Sequence, residues 1–187
     1  GRTIRDAETR RRIKRLAIPP AWTDVWIAPD PNGHIQATGR DARGRKQYRY
    51  HPDFVTQRDE AKYHHILDFA RVLPKIRRRV AADMSRRGLP FEKVVATVVH
   101  LLDSTLIRVG NADYARQNGS FGLTTLRDRH VEIDGSGLRF AFKGKSGKTW
   151  RLKLTDRRVA RIVKSCQDLP GQHLFQYIDE DGSRRPI

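Results

Sequence analysis

Two stretches of this sequence place cations beside glycines and aromatics in ways that could serve phosphate chemistry. The first, GRDARGRKQYRYH, runs from Gly39 to His51 and brings four cations and two glycines up to a short extended segment. Alternation along such a segment sends Gln47 and Arg49 to one face and Tyr48 and Tyr50 to the other. Guanidinium and ammonium groups can hold phosphates there while Gln or Tyr reaches base edges or sugars. A basic hairpin with core aromatics gives the same spacing. The net charge decides in favour of nucleic-acid contact.

The second stretch is Leu106-Ile107-Arg108-Val109-Gly110-Asn111, followed at a distance by Phe142-Lys143-Gly144-Lys145. Arg108 stands just beyond an apolar helix, and Gly110 lets the backbone turn so that the guanidinium can face a cleft. Its planar fork suits two phosphate oxygens at once. Lys145, in a glycine-flanked hairpin, is a point charge able to approach a phosphodiester and donate a proton. On spacing alone, a helix-ending charge and a surface turn lysine remain the commoner reading of both. A third group joins Tyr114-Ala115-Arg116-Gln117-Asn118 to Gly122–His130. Its Tyr, Asn, Thr and Arg side chains suit phosphate or base contact, and equally suit turns and caps.

These residues need elements to position them. The sequence predicts a short basic helix within residues 1–17 that Pro19-Pro20 stops, with Arg10-Arg11-Arg12 as a solvated face. Short strands follow around Val25–Ile27, His34–Ala37 and Gln47–Tyr50. After Pro52 the period turns helical, through Tyr63, Ile66, Leu67 and Ala70, then through Leu73, Ile76, Val80 and Met84, to a stop at Arg87-Gly88. The strongest helix is Pro90–Ile107, with Phe91, Val94, Val95, Val98, Leu101, Leu102 and Leu106 as its apolar stripe. Strands near 130–134, 138–143 and 149–154 form a second small sheet, and a helix from Thr155 or Asp156 presents Val159, Ile162 and Val163. The segment up to Ile187 offers no terminating element. The expected fold is α+β. A β-rich lobe (1–57) carries a small antiparallel sheet, and a mostly helical lobe (58–187) carries a three-stranded one.

Composition narrows the partners. Lys and Arg number 38 against 21 acidic residues, a net charge of +17 spread along the whole chain, so a polyanion is expected. No apolar run approaches the ~20 residues that span a bilayer, which disfavours a membrane. The single cysteine, Cys166, excludes an internal disulfide and fits a reducing, cytoplasmic setting. His64 and His65 are adjacent and cannot share a helix face, no Cys/His ligand spacing exists, and Asp179–Gly182 lacks a calcium-loop series, so no metal is expected.

The string LIRVGNADYARQNGSFGLTTLRDRHVEI, with FKGK and HLFQYIDEDG after it, resembles the catalytic domain of type IB DNA topoisomerases of the small, poxvirus-like form found in bacteria. GRDARGRKQYRYH resembles the DNA-contacting part of their amino-terminal domain. This resemblance implies two catalytic residues here. Arg108 would stabilise the transition state, and Lys145, 37 residues later, would protonate the leaving oxygen. It further implies that Arg45, Lys46, Gln47, Tyr48, Tyr50 and Tyr114 position DNA. The implied reaction relaxes supercoiled duplex DNA through a 3′-phosphotyrosyl intermediate, with two lobes closing as a clamp, without ATP, metal or other cofactor. The family's second arginine, histidine and nucleophilic tyrosine lie beyond the HLFQY-like segment, and further strands precede the position of Gly1. This stretch is therefore expected to grip DNA without cleaving it alone, as a monomer with no obligate protein partner. A non-catalytic duplex-binding module is the alternative, and a basic RNA-binding scaffold ranks behind both.

Overall fold

Short alternating segments separated by Pro- and Gly-rich turns fold into a meander at the start of the chain. In the computed structural model, which describes residues 3–187 apart from the side chain of His64, helix α1 (Ala7–Arg15) precedes strands β1 (Thr23–Ile27), β2 (Ile35–Arg40) and β3 (Lys46–Tyr50). The three strands pair antiparallel in chain order, with Thr38 opposite Tyr48 and Ala37 opposite Arg49. A long helix, α2 (Pro52–Asp83), follows. The chain divides into two compact units, Gly1–Arg71 and Val72–Ile187.

The first unit has few large buried side chains. Among the described residues of this unit Ala28, Gln36, Ala37 and Gly39 are buried, and polar bonds replace much of the apolar packing around them. Gln36 Nε2 donates to the Gly33 and Pro31 carbonyls at 2.7 and 3.0 Å, and its Oε1 accepts from Arg12 at 2.8 Å. Arg12 also donates to the Ala28 carbonyl at 2.8 Å. The expectation of a solvated Arg10-Arg11-Arg12 face therefore fails for Arg12. A buried glutamine needs a donor for its carbonyl oxygen, and Arg12 supplies one. Nor does the first half of α2 bury the stripe its period suggests: Tyr63, Ile66 and Leu67 are 69%, 48% and 61% exposed.

The second unit has an ordinary apolar core. It opens with the last turns of α2, whose chain passes through Pro74 without a break. Helix α3 (Phe91–Thr105) starts after Pro90 and buries Val94, Val98 and Leu101. Leu106 was expected on the same stripe but is 81% exposed, because it closes the helix in the left-handed conformation at φ 58°. Phe91, also expected in the stripe, is half exposed, with its ring edge-on to Tyr177 at 5.1 Å. A short helix, α4 (Ala112–Asn118), precedes strands β4 (Val131–Asp134), β5 (Gly137–Lys143) and β6 (Thr149–Thr155), which form the second antiparallel sheet. Leu138, Phe140 and Phe142 alternate inward along β5, while Arg139, Ala141 and Lys143 point out. Helix α5 (Arg157–Gln167) packs Val159, Ile162, Val163 and Cys166 into the same core. Burial pushes the Cys166 thiol up to about 11, so it serves as a small core residue.

The end of the chain does carry an element, contrary to expectation. Strands β7 (Gln176–Ile178) and β8 (Arg184–Pro186) form a hairpin. The Leu174 N–H donates to the Leu126 carbonyl at 3.0 Å and the Ile178 N–H to the Leu89 carbonyl at 2.9 Å, which fastens the hairpin to the core. The whole is of the α+β class, with two small antiparallel three-stranded sheets as expected.

One cap tests how α5 is held. Asp156 Oδ1 accepts from the backbone N–H groups of Arg158 and Val159, both at 2.9 Å, while Oδ2 meets His100 Nε2 at 3.2 Å. Asp156→Ala should lower unfolding stability by about 1–2 kcal/mol in urea titration, and Asp156→Asn should restore most of it. Equal losses for both variants would show that the carboxylate charge, not the cap, matters.

Candidate nucleic-acid interface and phosphate site

On β3 the exposed face carries Lys46, Tyr48 and Tyr50, and the opposite face carries Gln47 and Arg49. The two tyrosine rings stack at 6.0 Å and 12°, and Tyr50 continues onto Phe54 at 5.6 Å. Lys46 lies 5.6 Å above the Tyr48 ring and Arg58 5.6 Å from the Tyr50 ring. One strand face thus presents a ladder of π-faces, two phenol hydroxyls and cations at both ends. Phe54 and Arg58 were missed from the sequence. Their signal was the four-residue spacing on the first turns of a helix that starts directly after the strand, which puts both on one side.

Arg45 and Gln47 are placed differently. Asp41 Oδ2 accepts from Arg45 Nε at 2.8 Å and from Gln47 Nε2 at 2.9 Å, and the Arg45 guanidinium approaches it to 2.7 Å. The Arg45 hydrogen bond holds the Asp41 carboxyl down at about 2. Both candidate contacts are therefore pre-oriented by one carboxylate at the turn before the strand.

In the second unit, Arg108 and Lys145 are both exposed, and neither side chain makes an ion pair among the described residues. Their backbones are cross-linked. The Leu123 N–H donates to the Arg108 carbonyl at 2.9 Å and the Thr124 N–H to the Val109 carbonyl at 2.7 Å. Two residues before Leu123, the Phe121 N–H donates to the Lys143 carbonyl at 2.7 Å. The segment 121–124 thus bridges the Arg108 turn to the hairpin that carries Lys145.

Glycines make this bridge possible. A Cβ on Gly122 would lie 2.6 Å from the Arg108 oxygen and from the Gly110 N and Cα atoms. Gly110, at φ +113°, sits against the Thr124 and Thr125 hydroxyls, where a Cβ would come within 2.9 and 3.0 Å. Across the hairpin, a Cβ on Gly144 would strike Trp150 Cδ1 at 2.6 Å, and Trp150 lies parallel to Phe142 at 6.3 Å. The Gly144 N–H donates to the Lys148 carbonyl at 2.8 Å, closing a tight loop whose crest holds Lys145.

Tyr114 stands on α4, 42% exposed. The helix is capped by the Asn111 side chain, which accepts from the Tyr114 N–H at 2.8 Å, so Tyr114 follows Arg108 by one capped turn. Beneath the bridge, His130 is buried with its ring 4.5 Å from Phe121, and its Nδ1 accepts from the Arg127 N–H at 3.0 Å. Burial, with Arg129 and Arg127 nearby, lowers its pKa and keeps the ring neutral. Arg127 also bonds Gln172 and lies 6.0 Å from the Phe121 ring. Among the described residues no cluster of three or more His, Cys, Asp or Glu could hold a metal ion, and no helix is long and apolar enough to cross a membrane.

One unit thus carries an exposed cationic aromatic face, and the other carries Arg108 and Lys145, without ion pairs among the described residues, on cross-linked turns. Comparison with known proteins gives the family. Residues 45–182 match the family described as eukaryotic DNA topoisomerase I, catalytic core, and residues 1–41 match the bacterial DNA topoisomerase IB N-terminal domain. DNA topoisomerase 1B of Acanthamoeba polyphaga mimivirus is 40% identical over 190 residues, covering 98% of this chain and 54% of that protein. DNA topoisomerase 1B of vaccinia virus (strain Copenhagen) is 24% identical over 175 residues, covering 90% of this chain and 56% of the relative. The chain belongs to the type IB DNA topoisomerase family. It spans about half the length of these curated relatives.

Two tests address the bridge. Gly122→Ala should lower the urea midpoint by an amount corresponding to about 1–3 kcal/mol, since backbone atoms on both sides must move; an unchanged midpoint would mean that the Gly110–Gly122 contact is slack. Because the His130 pKa is lowered on folding, the unfolded chain binds the extra proton first, and stability should fall as pH drops below about 6.5. Asp128, which burial raises, works in the opposite direction through the lower, carboxylate range. His130→Asn keeps an acceptor for the Arg127 N–H and should flatten the fall near pH 6. Denaturant midpoints for both proteins, measured across that range, decide it.

Proposed function

We propose that this chain supplies the duplex-gripping and phosphate-stabilising parts of a type IB topoisomerase reaction. In that reaction a tyrosine oxygen attacks a DNA phosphodiester and forms a 3′-phosphotyrosyl bond as the 5′-oxygen departs. The free strand swivels, and the 5′-hydroxyl returns to expel the tyrosine. The covalent link conserves the bond energy, so ATP is not needed, and side chains provide the acid and the charge stabilisation, so metal is not needed.

In this scheme Arg108 offers two N–H groups to the nonbridging oxygens, where charge builds in the transition state. Lys145 gives its proton to the leaving 5′-oxygen. Lys46, Tyr48, Tyr50 and Tyr114 hold the duplex through phosphates, sugars and base edges, with Arg45 and Gln47 oriented by Asp41. The observation that most supports this scheme is the bridge through residues 121–124. It ties two unpaired cations, far apart in sequence, to one hydrogen-bonded backbone network.

None of the five tyrosines is assigned the nucleophile's role. Tyr177, half-buried on β7 with its ring against Phe91, is poorly placed to attack a phosphate. Duplex binding without cleavage is accordingly the expected behaviour of these 187 residues in isolation. A chimera joining them to the C-terminal part of the mimivirus relative should relax supercoiled plasmid without ATP or magnesium. Arg108→Ala or Lys145→Ala in that chimera should each lower the rate by roughly 10²-fold or more. Unchanged rates in both variants would remove the assignment. Duplex affinity of the 187 residues should fall steeply with salt as counterions are released, and a flat response would remove the phosphate contacts.

A further inference from the structure

The arginine run on α1 is not used by the function proposed above, and it lines a cleft. We propose that the cleft formed by α1, the loop before β2 and the end of β3, wholly within the first unit, is a second phosphate-binding site for a small, multiply phosphorylated anion. Its volume is ≈ 960 Å³, within the range of small-molecule pockets. Four arginines line it: Arg11, Arg12, Arg15 and Arg49.

Each arginine has a distinct place. Arg12 is fixed by its bonds to Gln36 and the Ala28 carbonyl, so that wall is rigid before any ligand arrives. Arg11 and Arg15 are one helical turn apart on the same side of α1, exposed, and unpaired among the described residues. Two guanidinium forks at that spacing suit successive phosphate groups rather than a single small anion. Arg49 donates to the Ala17 carbonyl at 2.9 Å and lies 5.6 Å from the Trp22 ring, yet its buried Nε–H has no acceptor among the described residues.

Two carboxylates also line the cleft. Asp6 is committed to capping α1, accepting from the Thr9 N–H at 2.6 Å. Glu8 is exposed and opposes the arginines only in part, so the lining stays positive. Tyr50 and His51 add ring surface on the β3 side, room for a base or sugar attached to the phosphates. The site uses neither Arg108 nor Lys145 and stands whether or not the reaction proposed above is correct.

The test uses the 187-residue chain with two probes: inorganic tripolyphosphate, followed by calorimetry, and a labelled short duplex, followed by anisotropy. Wild type should bind tripolyphosphate. The double substitution Arg11→Ala with Arg15→Ala should weaken that binding about tenfold or more without shifting the thermal midpoint, and Arg49→Lys, which keeps the charge but loses the fork, should weaken it in part. Lys46→Ala with Tyr48→Ala should lower duplex affinity and leave tripolyphosphate binding intact. Loss of duplex affinity alone in the arginine pair would assign the cleft to backbone phosphates instead of a free anion. Wild-type affinity for both probes in that pair overturns the site, as would loss of tripolyphosphate binding in the Lys46/Tyr48 variant.

Discussion

The turns that carry Arg108 and Lys145 depend on one close backbone contact, Gly110 against Gly122. With no side chain at either position, Arg108–Gly110 and Gly122–Thr125 lie against each other, and the Leu123 and Thr124 N–H groups donate to the Arg108 and Val109 carbonyls. Connecting segments are ordinarily the mobile part of a protein. This one is treated almost as a strand pair, and the Phe121–Lys143 bond extends the treatment to the end of β5. Gly144 beneath Trp150 repeats the device at the hairpin. The result is a cationic surface built on turns with the stiffness of the sheet behind it, which long arginine and lysine side chains need if they are to act at a defined atom.

The distribution of ion pairs complements that rigidity. Arg77 is bidentate to Asp103, and Asp83 is shared by Arg79 and Arg86, so these three cations of the α2–α3 surface are paired with carboxylates. Exposed pairs of this kind add little stability. Their consequence is for the electrostatic field, because with a net charge of +17 the cations left unpaired dominate what an approaching polyanion meets. Lys46, Arg108 and Lys145 are among those left over, and Asp41 shows the converse strategy. There a carboxylate gives up its own availability to aim Arg45 and Gln47.

The sequence made both sheets legible, together with α3, α5 and the candidate cations, because each rests on local signals: period-2 alternation, a Pro at a helix start, an Asp cap, and glycine before lysine. What it hid was non-local. Leu106 belongs to the α3 stripe by period, yet lies outside the core because the helix ends one residue earlier in a left-handed turn. The bridge from Arg108 to Lys143 consists of main-chain bonds, which no side-chain pattern announces. The β7–β8 hairpin has only three residues per strand and draws its order from bonds to Leu126 and Leu89, far away in sequence. Arg12 looked like its neighbours Arg10 and Arg11, and only the fold reveals the buried glutamine that claims it.

That last case explains how so polar a first unit holds together. With Ala28 and Ala37 as its buried apolar residues, hydrophobic burial is small, and a small unit has little else of that kind to draw on. Gln36 takes the place of a core side chain. Every hydrogen-bonding group on its amide is engaged, so its burial costs little, and the satisfied network fixes the 30–36 loop against α1. Arg12 is thus required for the fold on one side and forms a cleft wall on the other. A cation whose orientation is already determined by folding loses little further freedom when an anion binds beside it. On the proposed reading of the cleft, a substitution at Arg12 would therefore disturb the fold and the cleft wall together, whereas Arg11 and Arg15 face the cleft alone.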